Sequence, residues 1–518
     1  MKNSFFSGAI ILTVCAIIGK VIGAFYRIPF VMIAGAEGVG LYQLVYPLYA
    51  LLLTISTSGI PSAISKLLSE NYAKNEYNLA KKYFKFSMLI IIGSSLICAI
   101  AIALFSGTIA RLQGNDSAKL CYVAISPAVF FAGIVAGVRG YFQGKENMVP
   151  TAVSGIIEQV CKVLIGLLLA YLLRPYGIIM STIGVLLGVV LSEALASLFL
   201  IVCLIISKRK NKNILYSDIV KIPNKKIIKN IFAISLPIAF GGLIMPLTLL
   251  IDSSLIVKIL SKTYTAEYST MLFGLQSGVV GSLVNLPVVA SIAAQTVILP
   301  KLSKQKAQND TQNSQKTIKN AFLFVMVISV PAAICYFIYS KQIIYLLYGN
   351  AFSAEQIEIC SKLLKISCLN IIALSFAQVT AGILQGFGKV KTPVVTLLVG
   401  AVIKVVSVIL LVSNPSINIY GAEISDIICY FVVSLLNFMV IQKLVPHTIM
   451  SEILKTAAIS VEIFVVAYFT NKILLKLISS NMSLIVSGGI TIIMYFISIF
   501  VIIKSQKHKT DELYLSVK

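Results

Sequence analysis

Tryptophan is absent from this 518-residue chain, histidine occurs twice, and Asp and Glu number only 19 against 43 Lys and Arg. The two histidines, His447 and His508, lie in basic stretches and cannot assemble a His-based zinc site. Charged residues of every kind make up 12% of the chain, about half of what a soluble globular domain carries, and that scarcity excludes an ordinary water-soluble fold. The nine cysteines include no CxxC pair and fall almost entirely in apolar stretches, so packing is their expected role. Neither a metal nor a cofactor is implied.

What is there instead is hydrocarbon: 58% of residues are hydrophobic and the mean hydropathy is +0.94. Fourteen apolar segments succeed one another, from 7–32 and 40–65 through 231–257 and 271–299 to 455–475 and 483–503. Each is long enough for a bilayer core that takes roughly 20 apolar residues per helix. The expected class is all-α, a polytopic membrane protein of about 14 transmembrane helices. The apolar run after Lys2 continues to about Val31 without an A-x-A cleavage site, so it is read as the first helix.

The net charge of +24 sits in short connections between apolar runs, which is a topology signal and not a nucleic-acid patch. With the N-terminus inside, cytoplasmic segments hold 29 Lys and Arg, external loops nine, and the remaining five lie within helices. Both termini are therefore expected in the cytoplasm of a plasma-membrane protein. The basic linker 208–230 divides an N-lobe (1–207, six helices) from a C-lobe (231–442, six helices). An added pair of helices (443–503) and a basic tail (504–518) follow. Gly144-Lys145, Pro150 and Lys162 recur as Gly388-Lys389, Pro393 and Lys404, at offsets of 244, 243 and 242 residues. Lobes with even helix numbers start on the same side, so the repeat is parallel and implies a cavity between lobes.

The first helix of each lobe is interrupted by Gly and Pro: Gly23 and Pro29 in the first, Pro237, Gly241, Gly242 and Pro246 in the seventh. Paired interruptions at corresponding positions point to bending near a transport site, against the plainer reading that Gly and Pro are common in membrane helices. Basic residues inside the bilayer are more specific, since each costs roughly 2.5–3.5 kcal/mol near a helix centre. Lys162 has Glu158 one turn away, which leaves an ion pair and a functional role equally open. Lys20, Arg27 and Lys404 have no acid three or four residues away, so their partner is another helix, with Asp252, Glu193 and Glu462 as candidates, or a ligand. Lys20 and Arg27, two turns apart on one face, suit an anionic headgroup such as a diphosphate. Arg139 and Lys145 either frame a helix boundary or meet a lipid phosphate. External loops offer only scattered acids, Asp116, Glu355 and Glu358, and no histidine, which disfavours an enzyme.

The segments GKVIGAFYRIP, EGVGLYQLVYPLYALLLTISTSGIPSAISKLLSE, GYFQGKENMVPTAVSGIIEQVCKV, SLPIAFGGLIMPLTLLIDSSLIV and LVNLPVVASIAAQTVILPKLSK resemble, in order, the stage V sporulation protein B and polysaccharide-exporter family. That family belongs to the multidrug, oligosaccharidyl-lipid and polysaccharide flippase superfamily, close to the lipid II flippases. The resemblance implies alternating access by a monomer that is not an enzyme. Its partners would be membrane lipids and an undecaprenyl-diphosphate-linked glycan, in this family a peptidoglycan precursor. It matches Lys20 to a cavity base of the lipid II flippases, sets Arg27 beside another at Tyr26, and leaves Ser282 where a third would be Arg. Substrate-binding candidates are thus Lys20, Arg27, Lys404, Lys162 and Arg139, with Asp252 to couple an ion. The rival is a cation-coupled multidrug exporter of the same fold, which would call for a carboxylate-dominated cavity and twelve helices.

Overall fold

A bilayer offers no water to backbone N–H and C=O groups, so a chain this apolar must satisfy them internally, and helices do so within each segment. The computed structural model describes residues 2–57, 59–210, 222–445, 464–475 and 482–495 apart from 485 and 492. Within these, the side chains of 2–18, 20, 21, 24, 25, 56, 210, 240, 241 and 244 lie outside the description. Ten helical stretches among the described residues are long and apolar enough to cross a membrane. The protein is an all-α, multi-pass membrane protein. Most of 443–463 and 496–518, with much of the expected thirteenth and fourteenth segments and the tail, lies outside the described residues.

The chain forms two compact units, Met1–Ser282 with Val408–Ile419, and Leu283–Ser407 with Tyr420–Lys518. The first holds α1 (Lys2–Thr57), α2 (Gly59–Ala73), α3 (Tyr77–Leu112), α4 (Ala118–Gly144), α5 (Val149–Leu173), α6 (Ile178–Lys210), α7 (Asn224–Leu260) and α8 (Ala266–Phe273). A π-helical segment, Gly274–Val280, joins α8 to α9 (Gly281–Ala307). In this unit α5 packs on α6, α4 on α3 and α6, and α1 runs against α5, α7 and the π segment. The expected first and second spans are not joined by a loop. They are two helical stretches that meet directly at a kink at Gly35, whose φ of 69° and ψ of −179° is a backbone geometry open to glycine. Five residues on, a side chain at Gly40 would collide with the Thr270 carbonyl oxygen at 2.0 Å, so α1 and α8 touch backbone to backbone.

The second unit contains α9 from Leu283, α10 (Thr311–Tyr348), α11 (Ala354–Gly386), α12 (Lys391–Val412) to Ser407, α13 (Tyr420–Leu444), and helices Phe464–Leu475 and Met482–Tyr495. Asp310 starts α10 by accepting from the Asn313 backbone N–H at 3.0 Å, and Ser353 and Gln356 form a capping box on α11. Hydrogen bonds from the Asn313 side chain and backbone hold the exposed Asp310 carboxyl below its ordinary pKa. Ile298, Leu302, Phe322, Ile383 and Ile441 close the apolar centre. The last two helices dock on α10 through polar contacts. Gln342 donates to Asn471 at 2.9 Å, Ser483 donates to the same oxygen at 3.0 Å, and the Tyr495 hydroxyl donates to the Val327 carbonyl at 2.7 Å. Such bonds bind helices where burial of apolar surface cannot.

The structure sharpens the repeat. Gly144 and Gly386 end α4 and α11, Glu146 and Gly388 take positive φ in the turns, Val149 and Lys391 start α5 and α12, and Ile178 and Tyr420 start α6 and α13. Every pair is 242 residues apart, the same offset as Lys162 and Lys404. The drift from 244 to 242 in the sequence reading came from matching Gly-Lys dipeptides, whereas the geometry matches helix ends.

Candidate functional site

A polar cluster of the first unit grows from an aromatic ladder on α1. Tyr26 stacks on Phe30 (5.9 Å between centroids), Phe30 meets Tyr42 edge-on (5.5 Å), and Tyr42, Tyr46 and Tyr49 follow at 5.2 and 5.5 Å. Positions 42, 46 and 49 share one helix face, which sets three phenols in a row facing the neighbouring helices. Two cations lie on this ladder. Arg27 places its guanidinium carbon 5.4 Å from the Tyr42 ring, and Lys162 of α5 places its ammonium 5.2 Å from the Tyr46 ring. Both act on the Tyr42 hydroxyl, so α1 and α5 bring these two bases to one phenol. A ring face holds a cation in a low-dielectric region without consuming its charge.

Two donors of this cluster, on consecutive residues, lack an acceptor among the described residues. Arg27 Nη1 and the Tyr26 hydroxyl are buried, and neither has a hydrogen-bond partner among the described residues. Buried donors are nearly always satisfied, and leaving one unmet costs about 1–3 kcal/mol. A chemical group that accepts from both, an oxyanion above all, would remove that cost.

Acids bound the cluster on its far side. Arg139 of α4 donates to Glu158 of α5 at 3.0 Å and to Ser154 at 2.9 Å, and buried Glu193 of α6 contacts the Tyr49 hydroxyl. Of the two roles left open for Lys162, the ion pair with Glu158 is not formed: Glu158 pairs with Arg139 across a helix pair, and Lys162 lies against tyrosines. Arg139 is half-buried and committed to this ion pair.

Of the two partners left open for it, Lys404 meets another helix, though with an acid other than the three candidates. It is buried in the second unit, with its ammonium 2.5 Å from Asp426 of α13. The partner lies 22 residues ahead, beyond any spacing rule for one helix, and was not among the acids considered. The structure therefore brings Arg27, Lys162 and Arg139 together in the first unit and places Lys404 in the second. Helix α1 runs through position 20, but the Lys20 side chain lies outside the described residues, as does Glu462. Asp252 is buried on α7. Ser282 turns its hydroxyl back onto the Val279 carbonyl at 2.7 Å. The acids Asp116 and Glu358 are exposed, 3.9 Å from Arg111 and 2.9 Å from Lys362 respectively.

Of the expected bending points, Gly23 and Pro29 lie within the helical part of α1 that precedes the break at Gly35, and Pro237, Gly241, Gly242 and Pro246 lie within helix α7. Gly23 faces Gln159 of α5, 4.0 Å from where a Cβ would stand. At the end of the unit carrying the α3–α4 turn, a buried network went unforeseen. Gln113 donates to the Leu44 carbonyl (3.3 Å) and to Ser254 of α7 (3.2 Å), Tyr122 donates to Gln113 and Leu44, and Asn115 donates to Thr270 of α8 at 2.7 Å. Gln43 donates to Ser277 at 2.7 Å and so pins the π segment to α1. Isolated Gln, Asn and Ser carry no sequence signal of this kind. Only their burial reveals it.

A family model described as "Polysaccharide biosynthesis protein" matches residues 5–306, and a second, "MatE", matches 237–410. Stage V sporulation protein B of Bacillus subtilis is 26% identical over 485 residues, covering 93% of this chain and 91% of that protein. Lipid II flippase MurJ of the same organism is 27% identical, covering 86% and 83%. A solved structure of "Lipid II flippase MurJ, inward closed conformation" superposes with a TM-score of 0.74 at 17% identity, over 96% of this chain and 99% of that one.

Proposed function

We propose a transport function for this chain, which belongs to the polysaccharide biosynthesis protein family of membrane proteins: it flips an undecaprenyl-diphosphate-linked glycan, a peptidoglycan precursor, across the plasma membrane. Relatives bearing the names of a lipid II flippase and a sporulation protein, each covering more than four fifths of the chain, support a transporter and not an enzyme. The observation that carries the substrate class is the pair of buried, unmet donors on Tyr26 and Arg27, flanked by Lys162. A diphosphate brings acceptor oxygens and negative charge to that place, and charge-assisted bonds of this kind are roughly twice as strong as neutral ones.

In this reading Arg27 and Lys162 hold the headgroup with Lys20, while the prenyl chain stays in lipid. Arg139 keeps Glu158 occupied, so that carboxylate does not quench Lys162. Alternating movement of two lobes about the Gly- and Pro-bearing helices α1 and α7 exposes the site to either side in turn. The protein works as a monomer with both termini in the cytoplasm. Asp252, buried on α7, is the candidate for coupling an ion.

The match of residues 237–410 to the MatE family favours a second reading, a cation-coupled multidrug exporter. A cluster with three bases among the described residues opposes a cationic cargo. Reconstituted protein and a fluorescent undecaprenyl-diphosphate sugar separate the two. Flipping is expected in the parent and lost in Lys20→Ala and Arg27→Ala. Normal flipping in both variants removes the cationic site, and dye transport without lipid flipping transfers the protein to the drug-export reading.

A further inference from the structure

The first unit holds a second basic site, remote in chemistry from the tyrosine ladder. A cavity of about 930 Å³ opens among the C-terminal ends of α2, α4 and α6 and the N-terminal part of α3, on the side that the lysine distribution assigns to the cytoplasm. Helix α3 supplies one wall. Lys81, Lys85 and Leu89 follow at spacings of four, beside Phe84, Met88 and Ile92 at the same spacing, so one helix face changes from cationic to apolar along its length. From Lys81 to Ile92 the rise is about 16 Å at 1.5 Å per residue, comparable to one leaflet's depth from phosphate to mid-chain. The opposite wall brings Lys145 and Lys208. The Lys145 ammonium lies 4.6 Å from the Tyr141 ring and 5.5 Å from the Tyr72 ring, and Lys208 lies 5.5 Å from the Phe84 ring.

Four lysines thus converge on one opening with a single acid, Glu146, in its lining, and none of the four is ion-paired among the described residues. Topology alone asks for lysines in cytoplasmic loops. It does not ask for them to surround a cavity, to be held over aromatic rings, or to continue into an apolar wall. We propose that this cavity binds an anionic phospholipid of the inner leaflet, its phosphate among Lys81, Lys85, Lys145 and Lys208 and an acyl chain along Met88, Leu89 and Ile92. Leu89 is 58% exposed, which leaves that wall open to a chain from the bilayer. A lipid seated there ties together the ends of four helices of the unit and makes its packing depend on the anionic content of the membrane.

The test uses the full-length protein in phosphatidylcholine vesicles containing spin-labelled phosphatidylglycerol, reading the immobilised lipid fraction and its relative affinity. Affinity should fall about fivefold for each lysine removed in the series K81Q, K81Q/K85Q and K81Q/K85Q/K208Q. Lysine-to-arginine changes should preserve it, and Leu89→Glu should lower it with every lysine intact. K225Q/K226Q, on the same side but outside the cavity, should have no effect, and millimolar inorganic phosphate should not displace the lipid. Unchanged affinity in the triple variant overturns the proposal, as does an equal loss in K225Q/K226Q. Displacement by inorganic phosphate would make this a free-anion site. Displacement by an undecaprenyl-diphosphate sugar at equal concentration would assign the cavity to the transported lipid, and either result defeats the phospholipid reading. Gel filtration of each variant separates lost binding from lost folding.

Discussion

Lys162 and Lys404 occupy the same place in two halves related by 242 residues, and the two halves handle the intrahelical ammonium differently. In the second unit, Asp426 meets Lys404 at 2.5 Å and the charge is locked. The residue at the corresponding place in the first half is Gly184, which offers no acid. There Lys162 rests on Tyr46 beside Tyr42, and the nearby acid, Glu158, is taken by Arg139. The position corresponding to Glu158 is Gly400, so each half keeps an acid where the other has glycine. A paired charge serves packing, whereas a charge held by aromatic rings is still available to a ligand. The contrast is the basis on which binding is proposed for Lys162 and not for Lys404.

The largest effect expected is on stability in the second unit. Asp426→Ala removes the carboxylate that faces a buried ammonium and should cost about 3–5 kcal/mol, while the double change Asp426→Leu with Lys404→Met should restore much of the loss. Thermal unfolding in detergent measures both. If Asp426→Ala melts like the parent, the locked half of the comparison fails. Next, Arg27→Gln or Lys162→Met should reduce lipid flipping about ten- to hundredfold, the value of one charge-assisted hydrogen bond of about 1.5–3 kcal/mol, and should lower the melting temperature less than Asp426→Ala does. A larger loss of stability for Lys162→Met than for Lys404→Met would reverse the assignment.

Smaller still is Asn115→Leu, which removes the bond to Thr270 between the α3–α4 turn and α8. It should cost about 1–3 kcal/mol, read as a lower melting temperature in detergent. Least of all, Asp310→Ala should lower the melting temperature slightly at neutral pH. Its carboxyl is held below its ordinary pKa, so its contribution is present above that ordinary value and lost as pH falls through the lowered one. The difference between Asp310→Ala and parent should therefore vanish in acid and persist at pH 7.

The all-α membrane class was legible because long apolar runs leave few alternatives, and the turn at Gly388 follows from local residue types. Arg27 was legible as a base without a local acid. Asp426 was not, because a helix spacing rule sees four residues in each direction and the contact joins two helices. The same limit hid Arg139 as the partner of Glu158. Gln113, Asn115 and Tyr122 were hidden for another reason: amides and phenols are common at membrane surfaces, and nothing in their order marks these three as buried. Gly35 was passed over in favour of Gly23 and Pro29, since a left-handed backbone turn needs only one glycine and leaves no periodic trace.

The π segment has a consequence for how this helix is compared with others. A π turn admits one more residue than an α turn, and one residue is about 100° around a helix axis. Everything after Val280 is therefore rotated relative to a straight continuation of α8, and Ser282 stands two residues past that twist. A residue-for-residue alignment carries no knowledge of the added angle, so the side of the helix on which a relative presents a base need not be the side on which Ser282 sits. Deleting one residue within Gly274–Val280 would unwind the offset and turn a different stripe of α9 toward its neighbours.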